Sequence, residues 1–128
     1  MAIDTRSARA ELGEQVAAEH LTARGYAVVA RNFRTRSGEL DLVAANGSYL
    51  VFCEVKTRVA GGRLGPPSAL DAIGPAKRRQ VRRMAAQWLR EREDDRRAHP
   101  PRVRFDAIGV TVNSAGGVLA VEHVEDAF

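Results

Sequence analysis

The chain carries one cysteine, Cys53, in 128 residues. That excludes an internal disulfide framework and a four-cysteine zinc site. No apolar run approaches the ~18 residues needed to cross a bilayer as a helix. Residues 1–6 also lack the apolar core of a secretory signal. A reduced, cytoplasmic protein with no membrane segment is expected. Lysine is scarce: Lys56 and Lys77 are the only two among twenty basic residues. Because a lysine ammonium is compact and a guanidinium is not, these two positions stand out in an arginine-rich chain. Internal repeats and internal boundaries are missing too, and the length suits a single domain over 1–128. With 45% hydrophobic and 28% charged residues, wholesale disorder is excluded.

Charge is unevenly spread along the chain. The net charge is +4, yet residues 76–104 hold eleven basic and four acidic side chains, while residues 105–128 hold four acidic and no basic ones. A concentrated basic stretch suits a polyanion, because each phosphate it neutralises releases counterions. A solvated helix face explains such a run equally well.

Periodicity gives the element order. Residues 5–24 read as a helix with Leu12, Val16 and Leu21 on one face, stopped by Gly25. Residues 26–30 form a short apolar strand, followed by a polar turn over 34–38. Two alternating runs, 39–45 and 48–58, flank Asn46-Gly47, the strongest short signal for a two-residue hairpin. That turn pairs Ala45 with Ser48, Val43 with Leu50, Asp41 with Phe52 and Glu39 with Glu54. A loop over 60–75 precedes a second helix bearing Val81, Met84, Ala85, Trp88 and Leu89 as an apolar stripe. After a polar connection over 93–101, strands at 102–112 and 118–124 close the chain. The order α-β-β-β-α-β-β implies a mixed α/β sheet flanked by helices in two or three layers.

Alternation along the third strand puts Leu50, Phe52, Glu54, Lys56 and Arg58 on one face, and Tyr49, Val51, Cys53, Val55 and Thr57 on the other. The first face changes from apolar to charged, as a strand does when it runs out of its cover into a cleft. The hairpin brings Glu39 and Asp41 to the same face. Three carboxylates converging beside a lysine repel one another unless a cation joins them. Hard oxygen ligands suit Mg2+ or Mn2+. Lys56, two residues from Glu54, is placed to orient or deprotonate a water, or to stabilise charge on phosphorus oxygens. Metal-assisted phosphodiester hydrolysis fits these groups, with Asp41, Glu54 and Lys56 as the catalytic set.

Asp41, twelve residues, then Glu54-Val55-Lys56 resembles the bipartite motif of restriction-endonuclease-like nucleases. The words Gly13-Glu14, Gly38-Glu39-Leu40-Asp41-Leu42-Val43, Val51-Phe52-Cys53-Glu54-Val55-Lys56-Thr57-Arg58 and Arg104-Phe105-Asp106 resemble the YraN-like family. Those small bacterial proteins are regarded as relatives of archaeal Holliday junction resolvases. The resemblance implies a restriction-endonuclease-like fold, a metal held by Asp41 and Glu54 with the Val55 carbonyl, a catalytic Lys56, and Glu14 approaching from the first helix. Leu40 stands where restriction enzymes often carry proline. The resemblance also implies branched or junction DNA as the target, for which a homodimer with two sites would be suited.

Around this set, Arg58 and Arg63 adjoin the site as phosphate contacts. Lys77 either reaches over the cleft or lays its stem along the core edge. Arg79 and Arg83 share an outward helix face with Arg90 and either track phosphates or are simply solvated. Glu39 is a metal ligand or an exposed neighbour. Arg104 and Asp106 read as a structural pair, Cys53 as a buried small apolar residue, and His20, His99 and His123 as incidental. Two other functions share these features: a non-catalytic nucleic-acid-binding module, and an interaction subunit whose basic helix meets an acidic partner.

Overall fold

A computed structural model of the chain describes residues 5–61, 73–92 and 102–128. Arg63, His99 and most of the two expected connections lie outside the described residues. The elements follow the expected order: α1 (Thr5–Ala23), β1 (Ala27–Thr35), β2 (Gly38–Ala45), β3 (Tyr49–Val59), α2 (Pro75–Glu91), β4 (Arg102–Val112) and β5 (Val118–Val124). The five strands form one mixed sheet in sequence order. Only β3 and β4 are parallel, and α2 lies between them in the chain, because no hairpin can join parallel neighbours.

The sheet is the middle of three layers. On one face α1 packs Ala17 and Leu21 onto Leu42, Val51, Cys53 and Ile108. On the other, α2 packs Val81, Met84 and Trp88 onto Leu50 and Phe52, with the Trp88 and Phe52 rings edge-on at 5.7 Å. No described helix is long and apolar enough to cross a membrane.

The end of α1 shows how local sequence sets the next element. Gly25 has φ +91°, its N–H bonds the Thr22 carbonyl at 3.1 Å, and the Tyr26 N–H bonds the Leu21 carbonyl at 3.0 Å. This paired closure needs a left-handed residue, which glycine supplies without steric cost. Earlier in α1, a Cβ on Gly13 would collide with the Thr57 hydroxyl of β3. The missing side chain therefore lets α1 lie close on the sheet and brings Glu14 to the edge of β3.

The hairpin register differs from the expected one. Ala45 pairs with Leu50 and Leu42 with Cys53, a slip of two residues. Neither Asn46 nor Gly47 adopts positive φ, so the tight primed turn does not form. Instead the Asn46 N–H bonds the Tyr49 carbonyl at 3.0 Å and Asn46 Oδ1 accepts the N–H groups of Ser48 and Tyr49, both at 2.8 Å, which centres the turn one residue later, on Gly47 and Ser48. A slip of one would have reversed the faces; a slip of two preserves them. The β1 strand is also longer than expected, reaching Thr35, so the turn shrinks to Arg36 and Ser37. As an edge strand it can expose Arg31 and Arg34 while Phe33 packs against the α2-side core.

Arg104 and Asp106 do pair. The reading of His20 and His123 as incidental is corrected: His123 bonds Asp106 at 2.8 Å and His20 at 3.1 Å. The pairing of β4 with β5 brings His123 to Asp106, and the packing of α1 against the sheet brings His20 to His123.

Candidate functional site

The cleft opens where β2 and β3 part. Their paired register ends at Leu42 and Cys53, so the next step sets Asp41 beside Glu54. In place of a backbone rung, Asp41 Oδ2 accepts the Val55 N–H at 2.8 Å. Glu39, expected opposite Glu54, is instead partnered on β1 by Arg34, at 3.5 Å.

A break in alternation aims the acids together. Leu40 joins the core under α2 and Leu42 the core under α1, although residues two apart on a regular strand share a face. The break lies opposite Asn32, which sits between the pairs Arg31–Leu42 and Phe33–Leu40 and has φ +51°. Asparagine tolerates this left-handed conformation better than most residues. With its amide nitrogen turned inward, Asn32 donates to Glu14 at 3.0 Å and to Glu39 at 2.8 Å. Asn32 was missing from the sequence-based set. Its only signal is an asparagine, poor in β-propensity, within a strand-like run.

The structure thus gathers Glu14, Glu39 and Asp41, with one oxygen from each lying within 4.8 Å of the others. Glu54 stands beside this group. Its Oε1 faces Lys77 Nζ at 3.3 Å and Lys56 Nζ at 3.7 Å, while its buried Oε2 has no hydrogen-bond partner among the described residues. Lys77 comes from the first turn of α2, which Pro75 opens. The cleft has a volume of about 380 Å3, and Arg9, Ala10, Val55 and Thr57 complete its walls. Arg58, Arg79 and Arg83 do not line it: Arg58 reaches Thr111 Oγ1 at 3.4 Å, and the other two lie exposed on α2.

Electrostatics follow from crowding. Burial, then the neighbouring Asp41 charge, pushes Glu54 up to about 7, against the pull of Lys77 and Lys56. Burial also raises Asp41, although the Val55 N–H opposes it. Glu14 is raised by burial, then by Asp41 and Glu39. The Asp41–Glu54 pair therefore holds a proton into a range where isolated carboxylates have lost theirs.

A carboxyl raised from 4.5 to about 7 stabilises the fold most below 4.5, and that contribution is lost as pH climbs through 7. Without divalent cation, stability should fall over this interval by on the order of 2–3 kcal/mol. Chemical denaturation in EDTA at stepped pH checks it. Glu54→Gln should lose most of the slope, and an undiminished slope would refute the assignment.

The donor set fits a hard divalent cation: oxygens of Glu14, Glu39 and Asp41 converge, and one buried Glu54 oxygen has no hydrogen-bond partner among the described residues. Fold and cleft together define a three-layer α/β protein with an acidic site flanked by two lysines. Residues 13–110 match the Uncharacterised protein family UPF0102. The chain is 46% identical to a UPF0102 protein of Frankia alni over 128 residues, covering 100% of both chains. It is 45% identical to one from Rhodococcus jostii, covering 91% of this chain and 92% of the other. A Frankia casuarinae relative is 47% identical over 96% of this chain and 98% of its own. The chain belongs to the UPF0102 family, which bears out the YraN-like resemblance of its motifs.

Proposed function

We propose that the chain is a divalent-cation-dependent endonuclease that hydrolyses phosphodiester bonds in branched DNA. The observation that carries this is the convergence of Glu14, Glu39 and Asp41 within 4.8 Å beside two lysines, in an open cleft. Mg2+ or Mn2+ held by these oxygens would supply a Lewis acid for the scissile phosphate.

The chain's own groups then have distinct tasks. Asn32 holds Glu14 to Glu39, and the Val55 N–H fixes the Asp41 carboxylate. Glu54 anchors the ammonium groups of Lys56 and Lys77. Lys56, part-exposed at the cleft, stabilises charge growing on the phosphoryl oxygens and orients the attacking water. Lys77 presents a second positive charge from α2. The basic stretch beginning at residue 77 suits a polyanion, and the resemblance to resolvase relatives supports a branched target.

Labelled four-way, flap and duplex DNA incubated with Mg2+ or Mn2+ tests the reading. Cleavage of a branched substrate that disappears in EDTA and in Lys56→Ala is expected. Salt-sensitive binding with no cleavage under either cation would identify a binding module instead.

A further inference from the structure

A second cavity adjoins the cleft. It has a volume of about 250 Å3 and lies between α1 and the turn joining β4 to β5. Ala8, Leu12 and Val112 give it apolar walls, while Asn113 and Ser114 supply polar groups. The turn is held in shape by Asn113 Oδ1, which accepts the N–H groups of Ala115 at 3.0 Å and Gly117 at 2.8 Å.

Arg9 lines both cavities. It is half-buried and has no ion pair or hydrogen bond with any described residue. Lys56 and Lys77, the other cations of the cleft, are both drawn to Glu54. Arg9 is therefore the cleft cation that can accept an anion without breaking an existing pair among the described residues. A guanidinium at the boundary between an acidic cleft and a mostly apolar hollow suits a group that is anionic on one side and flat on the other. A nucleotide has that form, with its phosphate beside its base.

We infer that the substrate presents an unstacked nucleotide next to the cleaved bond, with its phosphate on Arg9 and its base in the second cavity. This rests on the nuclease reading of the cleft and adds a substrate class to it. A base inside a duplex must first leave its stack, whereas an unpaired one enters at lower cost. Discrimination then comes from DNA shape rather than sequence, because every base offers a flat face to the apolar walls.

Fluorescence anisotropy with two labelled duplexes, one fully paired and one bearing a single unpaired nucleotide, tests the inference with Ca2+ as the cation. The wild type should bind the second duplex about tenfold more tightly, a difference of ~1.4 kcal/mol. Arg9→Ala should lose most of its affinity for the unpaired probe, with partial recovery in Arg9→Lys. Ala8→Trp, which fills the cavity from an exposed helix position, should remove the preference. Thermal melting confirms that each variant folds. Equal wild-type affinity for both probes, or an Arg9→Ala variant that binds like the wild type, overturns the inference. Cation-dependent cleavage that ignores unpaired nucleotides would leave the nuclease reading standing and refute only this inference. Discriminating binding without cleavage by Mg2+ or Mn2+ would keep the nucleotide site at Arg9 and overturn the nuclease reading together with the cleaved bond it implies. No binding to either probe overturns both.

Discussion

Arg104→Met is expected to destabilise the folded chain by about 3–5 kcal/mol, the usual cost of leaving one member of a buried ion pair alone. Asp106 is wholly buried, and Arg104 grips it with Nε at 2.8 Å and a second nitrogen at 2.9 Å. His123 and the Asp126 N–H add bonds at 2.8 and 3.1 Å, and Arg104 also donates to the Tyr26 hydroxyl at 2.6 Å. Burial alone would raise this carboxyl, but the hydrogen bonds from His123 and Arg104 outweigh it and hold it below its ordinary value. Methionine fills much of the arginine's space and removes the charge, leaving the anion with an incomplete shell. Urea denaturation should show the loss, and adding Asp106→Asn should recover part of it, since a neutral amide costs less to bury. A single variant as stable as the wild type would mean the pair contributes nothing net.

Asp106 and Glu54 together give the protein two opposing pH responses. A depressed Asp106 contributes stability above its ordinary value of 3.8, and that contribution is lost as pH falls through the folded value. Glu54 does the opposite as pH rises toward 7. Asp106 lies beside Cys53 in the β3–β4 register, one residue before Glu54. One buried acid therefore lies on the strand beside the other, with both of its oxygens hydrogen-bonded, whereas Glu54 Oε2 has no such partner among the described residues.

These differences explain what the sequence revealed. The change of β3 from Leu50 and Phe52 to Glu54 and Lys56 was legible because strand periodicity depends only on counting by two. It survived an error in the turn because that error was itself two residues. The turn differs because Asn-Gly signals positive φ at its centre, whereas here the Asn46 side chain takes the backbone donors of Ser48 and Tyr49 and the bend centres on Gly47 and Ser48. The meeting of Glu14, Glu39 and Asp41 was only half visible. It depends on Asn32 entering the left-handed region and breaking the alternation of β2, an effect of tertiary packing that no local pattern records. Lys77 was noticeable by its rarity, but its bond to Glu54 required α2 to be set against the sheet. Arg9 gave no signal at all, since what marks it is its place between two cavities without an ion pair or hydrogen bond among the described residues.

Asp41→Asn should separate stability from function in opposite directions. Asp41 borders every acid in the cleft: it raises both Glu54 and Glu14 and supplies one of the three converging oxygens. An asparagine can still accept the Val55 N–H through Oδ1, so the strand junction keeps its bond. Removing the charge relieves repulsion, and in EDTA above pH 7 the variant should be about 1–2 kcal/mol more stable than the wild type. The same change takes away a hard anionic ligand, so the stabilisation that Mn2+ gives the wild type should largely vanish. Cleavage of branched DNA should fall by at least about 100-fold. A merely structural aspartate would produce a less stable variant with its cation response intact. Acids gathered against their own repulsion make sense as a cation site if their removal steadies the empty protein and ends its response to the ion, and melting curves with and without Mn2+ decide this independently of any DNA substrate.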